Sequence, residues 1–533
     1  MNNIFSKIKV LSFVTLSLTL ASCNDFLDKN PDDRTEINTV EKVQKLLVSA
    51  YPNKTISFLT EYSSDNVMDN GKSFSAYDSQ HKIYRFEDDP EQSNDDPKAV
   101  WQAHYLAVAT ANAALDGIKN IGENEQTLPL KAEALLCRAY AIFSLTNCFC
   151  MAYNDATADN YLGMPYPKES GVSVDSRGTL AETYANINAD IEEALPLIND
   201  SYLKVPAYHF NRHAAYAFAA RFNLYYQKWD KARKYATEAL GSNPTILMRT
   251  SLSTYGSFAT IDAFKNAYVD ASEPANFLLI PKISIMGRVQ AADDYLRYAH
   301  NHKLCTYETY YAEMPWNDGN NYNNNTLYES HMVYGDDYTD FVPFVYEFFE
   351  TTDQVNRTGY THIVEAAFTG DETALVRAEA NILLNNLTDA LVDMNNFVQV
   401  HCAPSYGKKK RPTLSTEDLV EYWKGVEPYS FGPRDESNPK SPIVIKNMSP
   451  KKLLNTNLKL TEEQTALLYT VLQMRRIETM WKGMRFQDIK RWGIEFIHPI
   501  DGEPAAVFKA NDLRGAIQLP DDVIDAGLER NPR

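Results

Sequence analysis

The sequence predicts a mainly α protein: a scaffold of tetratricopeptide-like (TPR-like) helix pairs broken by one long, irregular, tyrosine-rich insertion. Three observations predict it. Apolar and small residues recur at three- and four-residue spacings over most of the chain after Val40. One stretch, residues 213–244, places small residues where a helix-pair repeat of about 34 residues needs them. Tyrosine (33) outnumbers phenylalanine (24), and much of the tyrosine is concentrated within one segment.

Composition bounds the function. The chain has 533 residues, 44% hydrophobic and 23% charged, the balance of a folded protein. Lys+Arg number 52 against 70 Asp+Glu, a net charge of −18. A protein that held nucleic acid by its phosphates would need a basic face, so nucleic acid is not an expected partner.

Taken in order, the chain opens with Lys7 and Lys9 ahead of an apolar run from Val10 to Leu20. That run is too short to span a bilayer and reads as an export signal. It ends Leu20-Ala21-Ser22-Cys23, the lipobox pattern of bacterial lipoproteins. Residues 1–22 are therefore expected to be a lipoprotein signal peptide, with Cys23 diacylated as the mature N-terminus. Acyl chains contribute roughly 0.8 kcal/mol per buried methylene, enough for stable anchoring. Losing Lys7 and Lys9 takes the net charge from −18 to −20. The remaining cysteines, Cys137, Cys148, Cys150, Cys305 and Cys402, are odd in number and sparse, so no disulfide framework is expected.

Residues 98–118 carry Val100, Trp101, Tyr105, Val108, Ala111, Asn112 and Leu115 at helical spacing, and residues 130–147 are apolar nearly all round. A further amphipathic helix runs from Tyr184 to Ile198. In the helix pair 213–244, Ala220, Ala232, Ala239 and Pro244 occupy the repeat's small and terminating positions, while Ala236 replaces a usual large residue. Further pairs are expected over Glu372–Val400 and Thr461–Trp492, the last opening on a Thr461/Gln464 capping box. A repeat cannot bury its own face, so the separated pairs should stack.

The insertion spans about 243–370. Residues 306–350 hold thirteen aromatic side chains interleaved with asparagines. Such a surface suits stacking on sugar rings or peptide planes. The same tyrosines would also pack a long loop onto the helices, and the sequence leaves both open. A second irregular stretch, Tyr62 to Pro97, carries Asp65, Asn66, Asp69, Asn70 and Tyr77. Its Gly71-Lys72-Ser73 lacks the first glycine of a phosphate-binding loop, Asn66 standing there.

Enzyme motifs are missing: no H-E-x-x-H, no G-x-S-x-G and no dinucleotide fingerprint. His300, His302 and Cys305 lack a fourth ligand, and His209 and His213 flank Asn211, a natural helix cap. Asp318-Gly319-Asn320 places its glycine too early for an EF-hand. No cofactor is expected; a structural calcium ion is compatible with so acidic a chain.

Several segments resemble one family. The lipobox is followed by Asp25-Phe26-Leu27-Asp28 and Pro31, as in the SusD/RagB surface lipoproteins of Bacteroidetes. Residues 132–167 are similar to that family's alanine-rich block through Ala132, Glu133, Arg138, Ala139, Tyr140, Phe143, Gly163 and Pro165, with Trp101, Tyr105 and Asn112 fitting the helix before it. Residues 475–493 resemble its C-terminal signature through Arg475, Arg476, Glu478, Gly483, Arg485, Asp488, Arg491, Trp492 and Gly493; Lys482 departs from a usual acid. Residues 375–380 fit as well, so the likeness runs from residue 23 to the end. Arg485, Asp488 and Arg491 sit three apart on a helix, where paired charges orient helices rather than do chemistry.

The resemblance implies a SusD-like fold in which residues 23–533 form a single domain. Its parts would be a helical section of about 40–242, the insertion of about 243–370 and a helical section of about 371–533. It implies a cell-surface lipoprotein of the outer membrane that binds a nutrient oligosaccharide and passes it, without catalysis, to a SusC-like TonB-dependent transporter. Oligopeptide is the alternative ligand, a surface hydrolase of the same polymers a second alternative, and an adaptor that binds only the transporter a third. Tyr310, Tyr311, Trp316 and Tyr322 are the expected stacking residues, with Asp65 and Tyr77 contributed by the earlier loop.

Overall fold

The computed structural model describes residues 37–89, 93–171, 176–249, 260–291, 296–318, 332–333, 340–341, 347–406, 409–455 and 458–533. The export segment, Cys23 and Tyr322 lie outside the described residues.

The N-terminal section is helical, as its periodicity predicts. Helix α1 (Val40–Leu47) starts on Thr39, whose hydroxyl accepts from the Lys42 N–H. The buried turn α2 (Ser57–Tyr62), the short strand β1 (Met68–Asp69) and α3 (Asp78–Tyr84) follow. Helix α4 (Pro97–Ile121) has Asp96 as its cap and Pro97 in its first turn, where the missing N–H costs nothing. Helix α5 (Leu128–Phe149) is apolar on every face and is enclosed accordingly, between α4 and α6 (Leu180–Ala194). Arg138 of α5 pins the three together: it grips Asp190 of α6 through two bonds of 2.7 Å and donates to Asn112 of α4 at 2.8 Å. Thus two signature residues of the sequence, Arg138 and Asn112, are a helix clamp.

The expected helix pair is α7 (Arg212–Tyr225) and α8 (Trp229–Leu240), with Asn211 capping the first through the Ala214 N–H. Ala220, Ala232, Ala236 and Ala239 are fully buried, which is why none of these positions can be large.

The described parts of the insertion carry more regular structure than its composition suggests. Strand β2 (Asn276–Lys282), β3 (Tyr298–Ala299), helix α9 (His302–Glu308), β4 (Phe348–Asp353) and β5 (Thr358–Thr369) lie within it. The long β5 pairs through its first half with β4 and through its second half with β2, both antiparallel, in the order β2-β5-β4. Alternation is blurred in β2, which is buried on both faces, so a period-2 reading misses it. Strand β3 pairs with β1, aligning Met68 with Ala299 and Asp69 with Tyr298.

After the insertion α10 (Gly370–Leu383) packs on α7, α8, α11 (Leu387–His401) and α12 (Glu462–Glu478). Helix pairs far apart in sequence are therefore neighbours in space. Gly370 permits this, since a Cβ there would overlap the Leu247 carbonyl oxygen. Thr461 and Gln464 form the capping box of α12 as the sequence predicts. Helix α13 (Arg485–Trp492) and the hairpin β6 (Phe496–Ile500)–β7 (Glu503–Phe508) complete the structure, with β6 beside β1. One large apolar core cluster extends from Val43 to Leu519, and a small second one joins Met68, Leu304 and Met448. Cys137, Cys148, Cys150, Cys305 and Cys402 are buried free thiols within the structure.

Candidate functional site

The loop after α2 leads directly into a buried charge network. The Asp65 carboxylate, 5% exposed, accepts from Arg485 at 2.7 and 2.9 Å and lies 2.9 Å from the Lys451 ammonium and 3.5 Å from Arg476. Glu308 of α9 shares Lys451, at 2.5 Å, and Arg476. Burial alone would raise the Asp65 pKa; the three cations outweigh it and hold the carboxyl well below the usual range. Glu61, close by, accepts from the Asn66 amide and the Gly483 N–H and lies near Arg476, but burial outweighs these and pushes it up to about 7. The expectation that Asp65 meets a ligand is thus corrected. Its two oxygens are spent on joining the N-terminal loop to α12 and α13.

The remaining signature residues do similar work. Arg475 faces Glu372 at 3.1 Å, Asp488 at 3.3 Å and Glu379 at 3.5 Å. Arg491 pairs with Asp488 at 2.6 Å and Glu379 at 2.9 Å, and the Trp492 indole donates to Glu379 at 3.2 Å. Arg485 chooses Asp65 over its helical neighbour Asp488. Lys482 donates to Glu478 and to the Tyr268 hydroxyl, both at 3.0 Å. These charges orient helices.

Of the stacking candidates, Tyr310, Tyr311 and Trp316 are only 2%, 4% and 3% exposed. The chain folds back on itself where Glu313–Met314 pairs with Asn317–Asp318, and the Asn317 amide bonds the carbonyl of Ala312 at 3.2 Å. That turn directs the three rings into the core, so in this structure they offer no open face. The packing role of these residues, left open by the sequence, is the one observed. Tyr322 lies outside the described residues, as do Gly319 and Asn320 of the calcium-like triplet.

Tyr77, at 49% exposed, is at the surface. The structure joins its loop to the insertion, although some 220 residues intervene. Beyond the β1–β3 pair, the Arg297 N–H donates to the Ser75 carbonyl at 2.7 Å and the Asn70 N–H to the Arg297 carbonyl at 2.7 Å. Arg297 holds Asp69 by two bonds of 2.8 and 2.9 Å, and Asp69 also accepts from the Asp501 N–H of the β6–β7 turn at 3.0 Å. His81 and the Tyr298 hydroxyl share a hydrogen bond. Burial, then Arg85 and Arg297, lower the His81 pKa, so the imidazole is neutral at pH 7. Tyr307 is a second exposed aromatic, on the outward side of α9. Tyr77 is thus an exposed ring on a loop held by Arg297 and Asp69, suited to stacking and hydrogen bonding. Arg297, Tyr298 and His81 were not singled out from sequence, because no spacing marks residues that meet only through strand pairing.

The histidines are structural where their partners are visible. His300 bonds the Asn66 carbonyl and Thr309, His213 the Ala239 carbonyl, and His209 the Glu133 carboxylate. Among the described residues one acid–histidine group has metal-like spacing: Asp371, His401 and Glu478. Its charge is already met. Arg249 donates to Asp371 at 3.0 Å through its backbone and sits 3.9 Å from it through its guanidinium, and Lys482 holds Glu478. A divalent ion there would face two fixed cations.

Residues 25–224 match a family model, SusD-like, described as starch-binding and associating with the outer membrane. No curated protein matches the chain. Solved structures match it over nearly all its length. A SusD superfamily protein from Bacteroides thetaiotaomicron is 18% identical with a TM-score of 0.61, covering 93% of this chain and 100% of its own. One from Bacteroides fragilis is 15% identical with a TM-score of 0.60, covering 92% and 98%. A SusD-like carbohydrate-binding protein from Bacteroides vulgatus is 16% identical with a TM-score of 0.56, covering 92% and 96%. With the sequence model matching residues 25–224 and the fold matching from end to end, this chain has a SusD-like fold and its N-terminal section is similar in sequence to the SusD-like family.

Proposed function

We propose that the protein captures a nutrient oligosaccharide at the cell surface and delivers it, without cleaving it, to a SusC-like TonB-dependent transporter. The observation that carries this is the SusD fold over more than nine-tenths of the chain, shared with a protein described as carbohydrate-binding. The exposed Tyr77 on its clamped loop fits that role, since a tyrosine ring covers the apolar face of a sugar while its hydroxyl meets the edge. A lipid on Cys23 would hold the protein at the outer membrane. No helix among the described residues is long and apolar enough to cross a membrane.

Two measurements test the reading. The mature protein is incubated with the glycans it binds, and the products are separated by chromatography. Intact glycan is expected, and steady release of shorter products would replace the binder with a hydrolase. Affinity purification of the tagged, lipidated protein should bring a large β-barrel with it; its absence from the eluate would remove the delivery step.

A further inference from the structure

A cleft opens between residues 151–161, which follow α5, and the C-terminal end of α13, enclosing about 760 Å³ of space open to solvent. It shares no residue with the patch around Tyr77. Tyr153, Asn154, Tyr161 and Asn511 line it together with Lys490 and Arg491, and none of its lining residues is acidic. In a chain with 70 carboxylates against 52 Lys and Arg, that selection of charge is unusual.

Lys490 is the reason it matters. The side chain is buried, and its ammonium donates to the carbonyls of Asn147 at 2.8 Å and Cys150 at 2.9 Å, at the end of α5. Those bonds use two of its three donors. Among the described residues no carboxylate pairs with it, unlike the cations of the Asp65 network. Burial lowers its pKa to about 8, which leaves it charged at neutral pH. The end of a helix supplies partial negative charge and no more. Arg491 spends its terminal nitrogens on Glu379 and Asp488, while its buried Nε has no hydrogen-bond partner among the described residues. Around these cations, the side-chain donors of Tyr161, Asn154 and Asn511 make no hydrogen bond within the described protein. A fixed positive charge without a counter-charge, ringed by tyrosines and free amides, is complementary to a ligand that is both anionic and rich in hydroxyls.

We propose that this cleft is a second ligand site, for a uronic-acid residue within a saccharide. The ligand's carboxylate supplies the missing partner of Lys490, its hydroxyls bond Asn154, Asn511 and the Tyr161 hydroxyl, and its ring packs on the tyrosines. The proposal rests on the reading that the protein binds saccharides. It adds a preference for acidic sugars that the Tyr77 patch does not carry.

The test uses the mature chain and three probes, D-glucuronate, D-glucose and acetate, followed by ligand-observed NMR, beside a panel of neutral oligosaccharides. Asn511 is exposed and has φ +59°, a conformation aspartate also tolerates, so Asn511→Asp adds a negative charge at little cost to the fold. Glucuronate is expected to bind more tightly than glucose or acetate. Asn511→Asp and Tyr161→Ala should each weaken it about fivefold or more, with neutral-glycan binding unchanged. Glucuronate affinity unchanged in both variants overturns the site, as does acetate or glucose binding equally well. If neutral glycans bind and glucuronate does not, the cleft proposal falls and the functional reading stands; if no saccharide binds, both fall.

Discussion

Asp65→Asn keeps the shape of the side chain and removes its charge. In the wild type that charge meets Arg485 through bonds of 2.7 and 2.9 Å, Lys451 at 2.9 Å and Arg476 at 3.5 Å. Glu308 still serves Lys451 and Arg476 in the variant, but Arg485 loses its bidentate partner inside the protein. Breaking a buried pair by removing one member costs about 3–5 kcal/mol, because the other is left unpaired. The unfolding entropy of about 2.1 cal/mol/K per residue amounts to roughly 1 kcal/mol/K for a chain of this size, so Tm should fall by about 3–5 °C. Scanning calorimetry on the mature chain at pH 7 reads this directly. The pH dependence has a definite sign. Asp65 titrates lower in the folded protein than its unfolded value of about 3.9, so its contribution is present above that pH and is lost as pH falls through the folded pKa. The gap between wild type and variant should therefore narrow in acid. A double variant, Asp65→Asn with Arg485→Met, should recover much of the loss by removing the stranded cation. A variant Tm within about 1 °C of wild type at pH 7, or a gap that widens in acid, would refute the assignment of Asp65 as a structural hub.

Other perturbations separate packing from binding. Trp316→Ala opens a hole in the core and should cost about 3–5 kcal/mol in chemical denaturation, whereas exposed Tyr77→Ala should stay within about 0.5 kcal/mol. In glycan titration the order reverses, with Tyr77→Ala losing roughly five- to thirtyfold in affinity for the loss of an aromatic contact of about 1–2 kcal/mol. His209 bonds Glu133 at 2.7 Å, and that bond raises its pKa; the stabilisation it gives is complete below about pH 6.5 and lost as pH rises through the folded value. Melting curves of wild type and His209→Gln should thus differ at pH 5.5–6 and converge in mild alkali. Gly483 has φ +76°, and a Cβ there would meet Thr60 and Ser57, so Gly483→Ala should destabilise by about 1–3 kcal/mol in urea.

Helices were legible because their signals are local. The alanine ladder of α7 and α8, the capping box of α12 and the all-round apolarity of α5 lie within a turn or two of the residues they organise. Strand β2 was not, because it is buried on both faces and pairs with β5 some eighty residues away, and β4, although in a hairpin with β5, is exposed over most of its length and shows no alternation. The site divides along the same line. Tyr77 was visible as an aromatic in a turn-rich loop, but its support by Arg297 and Asp69 arises from a pairing across the whole N-terminal section. The aromatic run misled at Tyr310, Tyr311 and Trp316 for a physical reason: a tyrosine satisfies a core and a binding face equally well, and only the turn at 313–318 decides which it meets. Asp65 misled likewise, since its three cations sit at positions 451, 476 and 485.

The central claim is that the protein is a saccharide binder, and calorimetric titration of the mature chain against matched panels of oligosaccharides and oligopeptides tests it most directly. Saturable binding of at least one oligosaccharide, weakened by Tyr77→Ala and indifferent to the peptides, is the predicted result. Saturation by peptides alone, or silence with both panels while the protein remains folded, would contradict it.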